Sequence, residues 1–400
     1  MQTELADFIR DTPEGREADA ILRKCVHCGF CSATCPTYQL LGDELDGPRG
    51  RIYLIKQVLE GAEPTQKTRL HLDRCLTCRA CETTCPSGVQ YGRLADIGRG
   101  IVEEKVGRGI VESAKRKLLS TVLPRAGLFA TALALGRLVR PLLPQALKEK
   151  IPSTTGEAGQ WPRARHQRKM LALAGCVQPA LAPVINAAAA RVLDRAAISL
   201  IEAEGAGCCG ALRFHLNEQE AGRDHMRALI DAWWPLVENG EVEAIVMTAS
   251  GCGATVREYG HLLRHDPAYR DKAAKVSAMT KDLSEVIPEN SIGKKIGSRR
   301  VAFQSPCSLQ HGQQIRGKVE ALLQAAGHAL LPVADEHLCC GSAGTYSILQ
   351  AELSGKLRER KLAALSAGGP EVIATANIGC LSHLQGGAPV PVKHWIELLE

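Results

Sequence analysis

Apolar residues along the 400-residue chain follow a helical period at first and a strand–helix alternation later. Thr12, Pro13 and Glu14 form a helix start, and Ala18, Ile21 and Leu22 follow on one face. Gly47-Pro48 marks a turn, after which Ile52, Ile55 and Leu59 line a second helix. The Ser87–Gly92 stretch predicts another turn, then a helix through Leu94, Ile97 and Ile101. Over 105–169 the apolar positions Leu118, Leu119, Val122, Leu128, Phe129, Leu133, Leu135, Leu138 and Val139 alternate with arginines. Pro124, Pro141 and Pro144 interrupt them, which predicts a broken helical connector ending near Pro152–Gln160. Its longest apolar run, Ala126–Gly136 between Arg125 and Arg137, is shorter than the roughly 20 residues of a membrane span.

Beyond residue 169 short apolar runs alternate with helical segments. Leu171–Gly175, Val242–Thr248, Val301–Ser305 and Glu371–Thr375 read as strands, and Pro183–Leu200 and Gln313–Ala326 as helices. Such alternation predicts a parallel sheet, once in each of two copies.

The sixteen cysteines give this pattern its chemistry. Cys25, Cys28, Cys31 and Cys35-Pro36 form a C-x2-C-x2-C-x3-C-P run, and Cys75, Cys78, Cys81 and Cys85-Pro86 repeat it fifty residues later. This is the spacing of two-cluster bacterial ferredoxins, where the fourth cysteine of each run serves the other cluster. Accordingly, one [4Fe–4S] cluster is assigned to Cys25, Cys28, Cys31 and Cys85, and a second to Cys75, Cys78, Cys81 and Cys35. Pro36 and Pro86 are expected to stop the preceding helix and turn the chain away. Zinc sites pair two C-x2-C knuckles rather than two four-cysteine runs, and disulfide frameworks belong to short secreted chains. Arg49 and Arg51, between the runs, are candidates to face a carboxylate or a cluster's negative charge.

The other eight cysteines recur in the order C…CCG…C. Cys176, Cys208, Cys209 and Cys252 make the first copy and Cys307, Cys339, Cys340 and Cys380 the second, offset by 131 residues for three and 128 for the last. Each falls at or near a strand's C-terminal end, where α/β folds place ligands. The sequence therefore reads as an α+β multidomain chain: a helical ferredoxin-type domain (1–104), a basic connector (105–169), and two α/β cysteine-rich domains (170–290 and 291–400).

Charge adds one refinement. The net charge is +6, yet 105–169 alone holds fourteen Lys/Arg against three acids. Two readings stay open for this segment: an apolar face at an anionic membrane surface, or a linker packed on protein. Aromatics at 4% and the lack of a nucleic-acid-binding motif argue against a nucleic-acid partner. The start, Met1-Gln2-Thr3-Glu4-Leu5, shows no basic-apolar leader, and the thiol count fits a reducing compartment. No Gly-x-Gly-x-x-Gly follows a strand, so no dinucleotide site is expected, and no catalytic residue is assigned.

The C…CCG…C repeat resembles the cysteine-rich domains of heterodisulfide reductases, whose pattern ends in Cys-x-x-Cys and holds an unusual iron–sulfur cluster with extra thiolates. Here the endings are Cys252-Gly253-Ala254-Thr255 and Cys380-Leu381-Ser382-His383, so the fifth thiolate is missing from both. Copy two keeps His383, with His311 and His337 nearby in sequence, where copy one has Thr255 and His215. Cys307, Cys339, Cys340, Cys380 and His383 are thus the candidate third metal site, against buried thiols retained as small apolar residues.

The whole arrangement, including Gly47-Pro48-Arg49-Gly50-Arg51-Ile52 and Cys85-Pro86-Ser87-Gly88-Val89, resembles the iron–sulfur subunits of bacterial glycolate oxidase. That resemblance implies two [4Fe–4S] clusters here and FAD on a partner subunit that oxidises glycolate to glyoxylate. It also implies a membrane quinone as acceptor and a peripheral location on the cytoplasmic face of the inner membrane. This chain would be a non-catalytic subunit of an oxidoreductase acting on the CH–OH group of 2-hydroxy acids. The equivalent subunit of a lactate or glycerol-3-phosphate dehydrogenase is the alternative, and a redox-sensing metal-stabilised scaffold the alternative of another class.

Overall fold

The structure, a computed structural model, describes residues 1–142, 148, 151–152, 155–292 and 298–400. Of the expectations above, Pro144 and positions 153–154 lie outside the described residues. Contacts divide the chain into two compact units, residues 1–115 with 337–357, and residues 116–336 with 358–400.

The first unit is helical. Helix α1 (Pro13–Lys24) starts as expected: Pro13 occupies the first turn and the Thr12 hydroxyl accepts the Gly15 N–H. Helix α2 (Pro48–Leu59) opens on Pro48, α3 (Gln66–Asp73) carries a Thr65/Thr68 capping box, and α4 (Tyr91–Lys105) closes the domain. Ala18, Ile21, Leu22, Ile52, Ile55, Leu59 and Leu94 meet in one core. The contact between α2 and α4 is close because Gly98 has no side chain. A β-carbon there would lie 2.6 Å from Ile55 Cγ1. Gly50 likewise lets α2 approach the Glu44 carbonyl, 2.1 Å from where a β-carbon would stand.

Two helices follow, α5 (Ile110–Val122) and α6 (Ala126–Val139). The second unit then holds two four-stranded parallel sheets. In the first, β1 (Arg168–Ala172), β2 (Ile198–Glu202), β3 (Ile245–Met247) and β4 (Thr280–Asp282) run in the order β2-β1-β3-β4. In the second, β5 (Arg300–Gln304), β6 (Ala329–Leu331), β7 (Val372–Thr375) and β8 (Val392–His394) run in the order β6-β5-β7-β8. The registers repeat as well: β1 pairs with β2 from Arg168↔Ile198, and β5 with β6 from Arg300↔Ala329. Met170, Ile185 and Val246 of the first copy and Val301, Val372 and Trp395 of the second belong to a single core.

Sequence periodicity misplaced two helix boundaries. The helix expected over Pro183–Leu200 spans Val184–Arg195, because Ala197 adopts a left-handed φ of 58° and the chain then enters β2. From Ile198 the chain pairs in parallel with β1, which takes the end of the expected helix into the sheet. The helix expected over Gln313–Ala326 begins only at Lys318, after Gly317 at φ 74°. A π-helical turn, Ser308–Gly312, occupies the space directly after Cys307.

Candidate iron–sulfur sites

Both ferredoxin-type runs take the same backbone path. His27 and Thr77, one residue before the second cysteine, have φ of 55° and 52°, and Gly29 and Arg79, one residue after it, 86° and 60°. Glycine adopts that conformation freely. At Arg79 a side chain is carried there at a cost of about 1–2 kcal/mol. These turns let three closely spaced thiols converge, and a short helix then carries each run to its fourth cysteine (Phe30–Ala33 and Ala80–Thr84). Pro36 does more than end a helix, since it is the first residue of the next one, Pro36–Leu41.

The convergence is crossed. One cavity is lined by Cys25, Cys28, Cys31 and Cys85. An adjoining cavity is lined by Cys75, Cys78, Cys81 and Cys35. Pro48, Cys81 and Tyr91 border both. The first cavity thus presents three thiols of one run with Cys85 and Cys81 of the other, and the second presents three thiols of the other run with Cys35, so each holds the four-thiolate donor set of a cubane cluster.

The two surroundings differ. Arg51 is buried beside the second cavity, where it donates to His71 O (2.7 Å), Thr37 Oγ1 (3.1 Å) and Asp46 Oδ1 (3.4 Å). Burial opposes its charge, but Cys75, Tyr91, Cys35 and Asp46 outweigh that and raise its pKa. Arg99, also buried, donates to Cys75 O (2.6 Å), Leu72 O (2.7 Å) and Thr77 Oγ1 (2.8 Å). Cys75 consequently sits below the ordinary thiol range. Its burial is overcome by Arg51 and Arg99, the Thr77 N–H (3.4 Å) and the Tyr91 hydroxyl (3.6 Å). In the first cavity, burial and the neighbouring Cys25 and Cys28 push Cys31 up to about 11. Arg49, at its rim, is half-exposed and paired with Glu44 at 2.6 Å. Of the two arginines singled out between the runs, Arg51 meets both a carboxylate and thiols, whereas Arg49 makes a surface pair.

Residues 337–357, from the second cysteine-rich copy, complete this unit. Tyr346 donates to Arg74 O (3.1 Å), and burial, then Cys75 and Cys339, raise its pKa. Nothing in the sequence pattern flagged Tyr91, Arg99 or Tyr346, each of which reaches the second cavity's surroundings from a distant segment.

The cysteine-rich copies also differ. In the first, Cys176 follows β1, Cys208 and Cys209 follow β2, and Cys252 lies on the helix Ser250–Val256 after β3. The order β2-β1-β3 makes these three strand ends neighbours. Cys208 stands close enough to Cys176 and Cys209, and Cys209 to Cys252, for the members of each pair to shift each other's pKa. Cys176 and Cys209 hold Cys208 well below the ordinary thiol value, aided by the Gly210 N–H and His225. The same contacts, with burial, push Cys176 and Cys209 up. Of the second-copy candidates, Cys339 and Cys340 lie in the first compact unit, and Cys307, Cys380 and His383 in the second. Gly341 N–H donates to Cys339 Sγ (3.4 Å), and Asn377 Nδ2 to Cys380 Sγ (3.6 Å).

Residues 21–89 match the family model for a 4Fe–4S dicluster domain, and residues 170–257 and 301–385 that for a cysteine-rich domain. Along its full length the chain is 55% identical to the glycolate oxidase iron–sulfur subunit of Escherichia coli K12, covering 98% of that protein. The chain belongs to the glycolate oxidase iron–sulfur subunits. It is 31% identical to the probable glycolate oxidase iron–sulfur subunit of Bacillus subtilis 168, with 92% of this chain and 89% of that one aligned. Lactate utilization protein A of an Exiguobacterium species is 25% identical over 56% of this chain and 94% of its own length. Membership of the glycolate oxidase family makes this chain an iron–sulfur electron-transfer subunit and a member of an oxidoreductase complex.

Proposed function

We propose that this subunit carries electrons from a flavin-bearing partner, which oxidises glycolate to glyoxylate, to a membrane quinone. The observation that carries the proposal is the pair of adjoining cavities, each lined by three cysteines of one run and the fourth of the other, with Cys81 bordering both. Cys25, Cys28, Cys31 and Cys85 would hold one [4Fe–4S] cluster, and Cys75, Cys78, Cys81 and Cys35 the other. Such clusters supply reversible one-electron storage. The protein sets their spacing, solvent access and local charge. Oxidation of the hydroxy acid releases two electrons and two protons. The partner's flavin takes the electron pair, this chain relays it one electron at a time, and the quinone collects two electrons and two protons.

The buried Arg51 and Arg99 favour an extra negative charge at the second site more than anything around the first. Electrons therefore run downhill from the first cavity to the second. Cys307, Cys339, Cys340, Cys380 and His383 are proposed as ligands of a further iron–sulfur group. The complex is placed peripherally on the cytoplasmic face of the inner membrane. The similarity to lactate utilization protein A supports a lactate-oxidising complex as second reading.

Iron and sulfide analysis of oxygen-protected protein tests the core of this. Two cubanes give about eight irons, and a third cluster of four about twelve. Cys35→Ser should alter the EPR signal of the cluster held by Cys75, Cys78 and Cys81 and spare the other. The reverse result would overturn the crossed arrangement. Glycolate, rather than lactate, should reduce the clusters in the native complex.

A further inference from the structure

Helix α6 is apolar and, among the described residues, mostly exposed. Of its fourteen residues only Leu133 is buried, whereas Leu135 is 60% and Leu138 78% exposed, and Leu128 and Val139 are exposed too. Leu118 on α5 and Leu142 just past α6 extend the apolar surface at 63% and 87% exposure. Monomeric soluble proteins rarely leave a contiguous surface of this kind to water. The helix is nevertheless firmly mounted. It rests against the short helix Gln178–Leu181, which begins two residues after Cys176. The preceding helix is pinned at Ser120, whose hydroxyl donates to Glu218 (2.8 Å) and whose carbonyl accepts from Arg213 (3.0 Å).

Charge identifies the occupant. No acid occurs between Glu112 and Glu149, while Lys115, Arg116, Lys117, Arg125, Arg137, Arg140 and Lys148 do. At the other end of the basic connector Arg165 pairs with Asp194 (3.1 Å) and Arg168 with Glu243 (2.9 Å), whereas beside α6 Arg137 and Arg140 donate to the carbonyls of Pro152 (3.1 Å) and Ile151 (2.9 Å) and Lys117 lies 3.7 Å from Glu218. Protein interfaces rest on buried Trp, Tyr and Arg anchors, among which Leu is under-represented. This surface offers leucine, alanine and cations, the composition of a helix lying among anionic headgroups. Among the described residues no single helix is long and apolar enough to cross a membrane. Helix α6, about 21 Å long by its residue count, falls short of a hydrocarbon core of about 30 Å. It is bent 112° from its predecessor.

We infer that α6, with Leu118 and Leu142, is the surface by which this subunit lies in the headgroup layer of an anionic phospholipid bilayer, without spanning it. The inference rests on the peripheral-membrane reading above and names its contact. Leu128, Leu135 and Leu138 enter the acyl boundary, and the flanking Lys and Arg meet lipid phosphates. The lipid then lies beside the segment that follows Cys176, which brings the first cysteine-rich copy close to a membrane-dissolved acceptor.

Flotation of the cluster-loaded full chain tests this, with vesicles of phosphatidylcholine alone or mixed with phosphatidylglycerol. The wild type should float with the phosphatidylglycerol vesicles and lose part of that binding in high salt. The triple variant Leu128→Asp, Leu135→Asp, Leu138→Asp should lose on the order of tenfold or more in partitioning per leucine, with its iron content and EPR spectrum unchanged. Arg168→Gln, at an arginine that pairs with Glu243 instead, should bind as the wild type does. If the wild type floats and the leucine variant floats equally, α6 is not the contact, although the peripheral reading survives. Binding abolished by Arg168→Gln instead would likewise exclude α6. A wild type that floats with neither vesicle removes both readings, and loss of a co-purifying subunit from the leucine variant would then make α6 a protein interface.

Discussion

Arg99 shows how one side chain sets a property of a site it does not ligate. Its guanidinium holds the carbonyls of Leu72 and Cys75 and the Thr77 hydroxyl, and its charge lowers the Cys75 pKa. Arg99→Gln should lower the midpoint potential of the second cluster relative to the first in an EPR-monitored redox titration, at unchanged iron content. His394 and Asp282 act on stability through pH, in opposite senses. His394 is fully buried, donates from Nε2 to Thr248 O (2.9 Å) and accepts the Ile396 N–H at Nδ1 (3.3 Å). Burial lowers its pKa from 6.5 to about 4. Below pH 6.5 the unfolded chain takes up a proton that the folded one refuses. Its contribution is therefore present above 6.5 and falls away as pH drops towards 4, by about 3 kcal/mol at most. Burial raises the Asp282 pKa from 3.8 to about 6, against the pull of its bonds to Ser284. That contribution is present at acid pH and is lost as pH rises through 6. Because the two windows overlap, each is read as the difference between the wild-type melting curve and that of His394→Gln or Asp282→Asn across pH 4 to 7.

At the scale of elements, close helix contact is what brings the two cysteine runs into crossed register. Helix α2 lies between the runs and α4 follows the second, and the contact of Gly98 with Ile55 locks them. Gly98→Ala should destabilise the first unit by about 1–3 kcal/mol through overpacking. Adding Ile55→Ala opens room for the new methyl, so the double variant should be less unstable than the sum of the singles in denaturant titration. The start of α1 was legible because Thr12 and Pro13 supply a cap locally. Strand β2 was not, because no proline or glycine separates Ile198–Leu200 from the helix before it, and the segment becomes a strand only when β1 is beside it. The edge strands β4, β6 and β8 are three residues each, too short for alternation to show.

For the molecule as a whole, function depends on how segments far apart in the chain meet. The 131-residue repeat is visible in the letters, and it folds into two sheets of the same strand order. The chemistry the copies present is nevertheless unequal. In the first copy Cys208 is held well below the ordinary thiol value by Cys176 and Cys209, and in the second Cys339 and Cys380 accept from the Gly341 N–H and the Asn377 amide. The basic connector likewise reads as one segment, yet it divides into arginines held by carboxylates and an apolar helix left open. The sequence by itself determined the fold class, the two cubane-type runs and the helical and α/β halves, because cysteine spacing, caps and hydrophobic period act over a few residues. Only the tertiary structure decided that Arg51 and Arg99 charge one cavity and not the other, that Tyr346 joins the first unit, and which thiols of the repeats touch. Electrostatic and packing forces act through space, and side chains up to 272 positions apart are neighbours only once the chain has folded.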